Sequence, residues 1–165
     1  MKKGERVMTI VHAEKKDAKE IHSVLHQAFD EYRYATPPTT ALREAVSDIE
    51  QELTSGTQVL LYKHNDKCVG MVKFVVHDKQ LYFFRLSVIP EARNQGIARR
   101  LIDHLMTLAK EQKCATVVCK VRADMGQNVA FYDSLGFANT KEEMMERSDG
   151  ARLNVITMEY KLGGR

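Results

Sequence analysis

One short segment of this chain combines features that could bind an anion. It runs from Arg93 to Ala98 with the pattern R-x-x-G-x-A, and it follows an apolar stretch that stops at Pro90. Because proline cannot donate to a sheet ladder, the predicted strand ends there, and an amphipathic helix is predicted directly after Gly96. The segment would then aim several backbone N–H groups and the positive end of a helix dipole at one point, which suits a pyrophosphate.

Three arginines surround this segment. Arg93 opens it, and Arg99 and Arg100 lie in the first turn of the predicted helix. Their charge would add to that of the helix end. The alternative is a tight strand-to-helix turn with solvated arginines, since short glycine motifs often match by chance. A second motif favours the anion site over this alternative.

The second motif, F-Y-x-x-x-G-F, is formed by Phe131, Tyr132, Gly136 and Phe137. Together the two motifs resemble the GCN5-related N-acetyltransferase (GNAT) family, whose members transfer the acetyl group of acetyl-CoA to an amine. The family has Q/R-x-x-G-x-G/A after its fourth strand and F-Y-x-x-x-G-F on a later helix, so the order and separation agree. The strand pattern extends the resemblance over nearly the whole chain.

The resemblance implies acetyl-CoA as the cosubstrate, with no metal. In the family the loop binds the pyrophosphate, and main-chain groups of the strand before it pair with pantetheine and polarise the thioester carbonyl. The chain departs from the family at Met125, where relatives often have asparagine; Asn128, one helical turn before Tyr132, could face the cofactor. The residues expected at the cofactor are Leu86, Ser87, Val88, Arg93, Asn94, Gln95, Gly96, Ile97, Ala98, Arg99 and Asn128.

The reaction needs a neutral amine, a stabilised oxyanion and a protonated leaving thiolate. By resemblance Tyr132 is the acid that protonates the sulfur; the alternative is that it only packs on the cofactor or the core. No base is evident, because the strand where some relatives carry a glutamate has Tyr82 and Arg85 instead. Glu31 and Glu44 are candidate bases, although both are expected to be solvated surface residues, and a water chain leading to solvent is the other route.

The irregular stretch Tyr32–Thr40, here called the acceptor loop, contains Pro37-Pro38 and is expected to form part of the acceptor wall, as this region does in relatives. Tyr32 and Tyr34 beside Arg33 could accept an anionic or aromatic acceptor, or could be ordinary packing. Three function classes stay open. The first is an N-acetyltransferase acting on a small-molecule amine, the second acts on a protein or peptide amine, and the third is a non-catalytic CoA-binding sensor. A homodimer is also left open.

The composition agrees with a small cytoplasmic enzyme. A net charge of +3 over 165 residues gives no reason to expect a nucleic-acid partner. The apolar residues 7–11 are too few for a signal peptide or a membrane span. The three cysteines, Cys68, Cys114 and Cys119, are expected to be free thiols in a reducing compartment. His22 and His26 have i, i+4 spacing but no evident third ligand, so surface positions are expected rather than a metal site.

Apolar and turn-forming residues predict the elements that would position these groups. The predicted helices are Asp17–Phe29, Leu42–Leu53, the segment after Gly96, and a segment from a capping box at Asp124 and Gln127 to Gly136. The predicted strands are Arg6–Val11, Gln58–His64, Cys68–His77, Gln80–Val88, Thr116–Val121, Phe137–Glu146 and Leu153–Leu162.

These elements predict one N-acetyltransferase domain over residues 1–165, with its core at about 7–162. The fold class is α/β of the GNAT type, with a mixed, mainly antiparallel sheet of six to seven strands and helices on both faces. A helical crossover links Gln80–Val88 to Thr116–Val121, so these two strands are expected to pair in parallel. In the family the same two strands splay apart, and the pantetheine arm lies between them.

Overall fold

The computed structural model describes residues 7–163. Within that range the elements in chain order are β1 (Met8–His12), α1 (Ala18–Phe29), α2 (Val46–Thr54), β2 (Gln58–His64), β3 (Lys67–His77), β4 (Gln80–Val88), α3 (Ile97–Glu111), β5 (Thr116–Arg122), α4 (Gly126–Ser134), β6 (Ala138–Glu146) and β7 (Arg152–Lys161). Short 3₁₀ turns cover Lys15–Asp17, Asp30–Tyr32, Ala41–Arg43 and Pro90–Ala92.

The seven strands form one sheet in the order β1-β2-β3-β4-β5-β7-β6. β1 pairs with β2, β2 with β3, and β7 with both β5 and β6, in each case antiparallel. β4 and β5 pair in parallel, as expected for strands joined through a helix. The prediction of a mixed, mainly antiparallel α/β sheet is confirmed.

The chain consists of two compact units. Among the described residues, the first unit contains 7–75 together with Arg85–Leu105, and the second contains Val76–Phe84 and 106–163. β4 therefore contributes its first half to the second unit and its last residues to the first.

A close approach of β3 to α3 organises the first unit. A Cβ atom on Gly70 would lie 2.9 Å from Cγ2 of Ile97 and 3.2 Å from the carbonyl oxygen of Ser87, so a side chain there would have to displace the start of α3. The backbone N–H of Ile89 donates to Val69 O at 3.0 Å, which fixes the end of β4 against the same strand. Gly70 thus allows the segment after β4 and the first turn of α3 to pack directly on the sheet.

The first unit also encloses a charged cluster. Lys73 on β3 has no solvent exposure, and its ammonium group donates to Glu44 and, at 2.5 Å, to Oε1 of Glu52. The second carboxylate oxygen of Glu44 accepts from Nε of Arg85 at 2.8 Å. The buried lysine is therefore neutralised by two carboxylates, one of which also holds an arginine of β4.

In the second unit, aromatic rings pack around Phe83 of β4. Its ring centroid lies 5.7 Å from that of Tyr132 and 6.0 Å from that of Phe137. Phe137 also contacts Tyr160 of β7 at 5.7 Å. Gly136 ends the preceding helix at φ +95°, and a Cβ there would lie 3.1 Å from the Tyr160 ring, so both backbone and space require glycine.

Most predicted elements are confirmed within one or two residues, but two helix starts are wrong. α2 begins at Val46 rather than Leu42, because a 3₁₀ turn and an extended stretch at Glu44 and Ala45 precede it. The predicted capping box at Asp124 and Gln127 does not form: Met125 is the N-cap, and the Asp124 carboxylate accepts from Arg122 at 3.0 and 2.9 Å. Arg6, the predicted first residue of the first strand, lies outside the described residues.

The cysteines are free, as predicted, and all three are buried. Burial raises the pKa of Cys68 and of Cys119 to about 12, so both remain thiols near neutral pH. Among residues 7–163, no helix is both long and apolar enough to span a membrane. The same residues contain no group of three or more His, Cys, Asp or Glu side chains able to hold a metal ion.

The charged cluster predicts a large effect of removing its central cation. In Lys73→Met, Glu44 and Glu52 lose their shared partner, and we expect the free energy of unfolding to fall by about 2–3 kcal/mol. The value lies near the lower end for a broken buried pair because the two carboxylate side chains keep 17% and 30% exposure. Chemical denaturation monitored by circular dichroism measures it.

Lys141→Met is the matched control. Lys141 is exposed on β6, where its ammonium lies 3.3 Å from Glu143, so we expect a change within about 0.5 kcal/mol. Equal effects of the two substitutions would contradict the assigned importance of the buried cluster.

Candidate active site

The Arg93–Ala98 loop joins the 3₁₀ turn after β4 to α3. Ala92 and Ile97 are buried and anchor the loop, whereas Asn94, Gln95 and Gly96 between them are exposed. Asn94 and Gly96 have φ values of +62° and +77°, a conformation that glycine adopts freely and asparagine tolerates better than most residues. No atom lies within 4 Å of where a Gly96 Cβ would be, so the space beside the glycine is open. The geometry is that of an exposed backbone turn at the N-terminus of a 15-residue helix.

The three arginines near the loop have different roles in the structure. Arg93 donates to the carbonyl oxygen of Ala28 at 3.0 Å and lies 2.9 Å from the Glu31 carboxylate. Arg100 donates to the hydroxyl of Tyr62 at 3.0 Å. Both side chains are therefore occupied by protein groups, which sequence spacing could not predict.

Arg99, like Arg100, is exposed at this helix start. No ion pair holds it among the described residues. Arg100 makes a further, longer contact of 3.4 Å with the Gln95 carbonyl oxygen, so it reaches back to the loop itself. Of the three cations, Arg99 has the side chain most available to a bound anion.

The end of β4 carries the main-chain groups predicted to pair with pantetheine. Arg85 has φ +55°, which interrupts the regular strand before Leu86, Ser87 and Val88. The Ser87 side chain is buried and donates to Arg85 O at 2.8 Å, so its hydroxyl supports this irregular backbone. The β4–β5 ladder ends at the pair Tyr82–Val118, before the interruption.

Tyr132 is largely buried in the second unit, 9% exposed, on α4. Its ring contacts Phe83, Phe137 and, at 5.3 Å, Phe131. Burial, with a smaller contribution from nearby Cys119, raises the pKa of the phenol well above its usual value. The hydroxyl therefore keeps its proton throughout the physiological range. Asn128, one turn earlier on the same helix, is exposed.

The acceptor loop is irregular, as predicted, and contains a cis Thr36–Pro37 peptide bond. Its two tyrosines differ in environment. Tyr34 is 89% exposed, whereas Tyr32 is half-buried with its ring 5.9 Å from that of Phe29. Tyr32 can therefore support the loop, and Tyr34 presents a free aromatic face.

The expected solvation of Glu31 and Glu44 is wrong for Glu44. Glu31 is half-exposed and pairs with Arg93, while Glu44 lies in the buried cluster with Lys73 and Arg85. A carboxylate whose two oxygens already accept from cations is a poor proton acceptor. The available signal was Lys73 itself, since a single lysine within an apolar strand predicts a buried ion pair.

His22 and His26 stack with ring centroids 3.9 Å apart. Nε2 of His26 lies 2.9 Å from Glu44 O, and both side chains are half-buried rather than exposed as expected. Burial lowers the pKa of His22. The pair forms a packing contact between α1 and the segment before α2.

Comparison with known families decides the identity of this arrangement. A model of the acetyltransferase (GNAT) family matches residues 20–137, well over half of the chain. The chain belongs to the GNAT acetyltransferase family. The match includes the Arg93–Ala98 loop and Tyr132, so the identification from the two motifs is confirmed.

Two relatives resemble this GNAT protein in sequence. Human N-acetyltransferase 8B is 32% identical over 108 residues, which cover 61% of this chain and 48% of that protein. The [ribosomal protein bS18]-alanine N-acetyltransferase of Escherichia coli K12 is 33% identical over 75 residues, 44% of this chain and 51% of that enzyme. The chain thus spans about half the length of these relatives.

Solved structures have the same fold at lower identity. The ribosomal-protein-S18-alanine N-acetyltransferase from E. coli has a TM-score of 0.76 at 22% identity and 94% coverage of each chain. The PaiA N-acetyltransferase of Thermoplasma acidophilum in complex with coenzyme A has a TM-score of 0.75 at 14% identity, covering 94% of this chain and 99% of that one. The mixed seven-stranded sheet is therefore a GNAT fold.

The loop geometry predicts how CoA affinity responds to a charge at Gly96. Gly96→Asp places a carboxylate on the exposed turn and strains a backbone at φ +77°. We expect the affinity for acetyl-CoA, measured by calorimetry, to fall at least about tenfold, roughly 1.4 kcal/mol.

Gly150→Asp provides the control for backbone strain. Gly150 has φ +85° and equally open space, but it lies in the β6–β7 turn. We expect this variant to lose stability while binding acetyl-CoA normally. If a folded Gly96→Asp protein bound acetyl-CoA with unchanged affinity, the loop would not be part of the cofactor site.

Proposed function

We propose that this GNAT protein is an acetyl-CoA-dependent N-acetyltransferase that acetylates a primary amine of a small molecule. The observation that carries the proposal is the Arg93–Ala98 loop, where three consecutive exposed residues precede the N-terminus of α3. Backbone N–H groups at such a site bind phosphate oxygens, and a glycine with open space beside it admits a close approach. Because this loop occurs in a member of the GNAT family, we infer that the phosphate oxygens it binds belong to CoA.

The proposed cofactor residues divide by chemistry. The main chain of Asn94 to Ala98 binds the pyrophosphate, with Arg99 as the supporting cation. The main chain of Leu86, Ser87 and Val88 pairs with pantetheine and polarises the thioester carbonyl. Asn128 is a further candidate cofactor contact.

In the proposed reaction the amine nitrogen attacks the thioester carbonyl directly. A C–N bond forms, the C–S bond breaks, the amine proton leaves to a base, and the CoA thiolate takes a proton from Tyr132. The phenol is protonated near neutral pH, so it has a proton to donate, and the tyrosinate left behind regains a proton from solvent. Because free thiols have a pKa of about 8.5, protonation stabilises the leaving group near neutral pH.

A water chain to solvent is the proposed route for the amine proton. Glu31 and Glu44 are poor alternatives, since each carboxylate is already paired with a cation. A bound amine with a lowered pKa would need only weak assistance, and water can provide it.

A protein or peptide amine is the second candidate acceptor. It is favoured by the sequence similarity to the bS18-alanine N-acetyltransferase, an enzyme named for a protein substrate. A thiol-release assay over polyamines, amino acids, aryl amines and short peptides separates the two. Turnover of small amines supports the proposal, turnover of peptides alone favours the second candidate, and binding of acetyl-CoA without any turnover would indicate a sensor.

Removing the Tyr132 hydroxyl tests the proposed acid. Tyr132→Phe keeps the ring and its contacts, so acetyl-CoA affinity should change little, whereas kcat should fall on the order of 10²–10⁴-fold. Tyr160→Phe is the control, because Tyr160 belongs to the same aromatic cluster. A normal kcat in Tyr132→Phe under conditions where chemistry limits the rate would make Tyr132 a packing residue.

Removing both tyrosines of the acceptor loop tests the acceptor wall. We expect Tyr32→Ala combined with Tyr34→Ala to raise KM for the acceptor while KM for acetyl-CoA stays within about twofold. Because Tyr34 is exposed, the single variant Tyr34→Ala should be as stable as the unaltered protein. An increase in its KM for the acceptor can then be attributed to acceptor binding. Weaker acetyl-CoA binding instead would assign the loop to the cofactor.

A further inference from the structure

The acceptor loop is held at both ends by arginines from outside it. Arg93 is the first residue of the Arg93–Ala98 loop. Its side chain contacts residues that come just before the acceptor loop. Arg85, the residue that interrupts β4, has a side chain that contacts the end of the acceptor loop. Both arginines lie in the first unit together with the acceptor loop itself.

The contact at the start involves two acceptors. Arg93 donates to the carbonyl oxygen of Ala28, the penultimate residue of α1, at 3.0 Å. Carbonyl groups in the last turn of a helix lack intrahelical partners, and a cation there also interacts favourably with the helix dipole. The same guanidinium lies 2.9 Å from the carboxylate of Glu31, which belongs to the 3₁₀ turn leading into the acceptor loop.

The contact at the end also involves two acceptors. Arg85 donates to Oγ1 of Thr40 at 3.0 Å and to the Glu44 carboxylate at 2.8 Å. Its guanidinium lies 5.9 Å from the centroid of the Phe29 ring, and that ring contacts Tyr32. The two ends of the acceptor loop are thereby tied to one aromatic residue of α1 and to two arginines.

We propose that Arg93 is a positioning residue that couples the cofactor-binding loop to the acceptor loop through Glu31. The proposal rests on the proposed function, because the acceptor role of Tyr32–Thr40 is itself proposed there. When acetyl-CoA orders the Arg93–Ala98 loop, the Arg93 side chain holds Glu31 and the end of α1 in one position. By linkage, a loop stabilised by the cofactor binds the acceptor more tightly.

The competing role for Arg93 is a direct contact with the pyrophosphate. That role would require the side chain to leave two acceptors, one of them a carbonyl in the last turn of α1. Arg99 is exposed at the same helix start and can contact a phosphate without breaking such contacts. The observed pairing of Arg93 therefore favours positioning over direct binding.

Hydrogen exchange of the acceptor-loop amides, with acetyl-CoA as the probe, tests the coupling. In the unaltered protein we expect saturating acetyl-CoA to slow exchange within Tyr32–Thr40 by at least about threefold. Glu31→Gln and Arg93→Gln should each abolish this slowing, and the double variant should behave like either single one, since all three remove the same ion pair. Glutamine also fits the Q/R position of the loop motif, so Arg93→Gln should keep acetyl-CoA affinity within about threefold.

Asp30→Asn is the matched control. Asp30 lies beside Glu31 on the same turn, but its carboxylate pairs with Arg33 at 2.8 Å and not with the glycine-containing loop. This variant should retain the slowing of exchange. With an acceptor identified by the amine panel, Glu31→Gln should raise its KM severalfold with little change in kcat, while Asp30→Asn should not.

Four outcomes would overturn the proposal. The coupling is ruled out if acetyl-CoA still slows exchange in both Glu31→Gln and Arg93→Gln. It is also ruled out if exchange in the unaltered protein is not slowed although acetyl-CoA binds. Tighter acetyl-CoA binding in Glu31→Gln together with at least tenfold weaker binding in Arg93→Gln would instead identify a direct phosphate contact. Failure of the unaltered protein to bind acetyl-CoA would contradict the proposed function as well, so the two failures are distinguishable.

Discussion

The charge of Lys73 constrains much of the first unit. A lysine without solvent exposure must be neutralised, and Glu44 and Glu52 both turn toward it. To reach inward, Glu44 adopts an extended conformation, which ends the preceding 3₁₀ turn and delays α2 until Val46. The remaining oxygen of Glu44 then accepts from Arg85 and fixes that side chain near the acceptor loop. The burial of one lysine thus accounts for the start of α2, the inward position of the Glu44 carboxylate and the placement of the Arg85 side chain.

Local features of the fold could be predicted from the sequence because they depend on neighbouring residues alone. The hairpin turn at Asp78-Lys79, with φ values of +49° and +61°, follows from turn-forming residues between two apolar runs. Gly96 and Gly136 were identifiable because each sits where a strand or helix must turn sharply. The same local rules gave β4 and β2 with the bounds that the structure has.

Side-chain partnerships could not be predicted, because they join residues that are distant in sequence. Arg93 is 65 residues from the Ala28 carbonyl that it binds, and no spacing rule connects the two. The capping box at Asp124 failed for a different, local reason, since Arg122 on β5, two residues earlier, competes successfully for the carboxylate. The motif therefore predicted an exposed backbone turn, which the structure contains. The different contacts of its arginines could not be predicted, because they involve residues that are distant in sequence.

Charge compensation also bears on what the acceptor loop can select. From the sequence, Tyr32 and Tyr34 beside Arg33 could accept an anionic or aromatic acceptor, or could be ordinary packing. In the structure, Arg33 pairs with Asp30, Arg93 with Glu31 and Arg85 with Glu44. Each cation is matched by a carboxylate, so together they provide little net attraction for an anion. Selectivity in this region should then depend on the shape of the loop and on aromatic contacts, with the ion pairs serving to hold that shape.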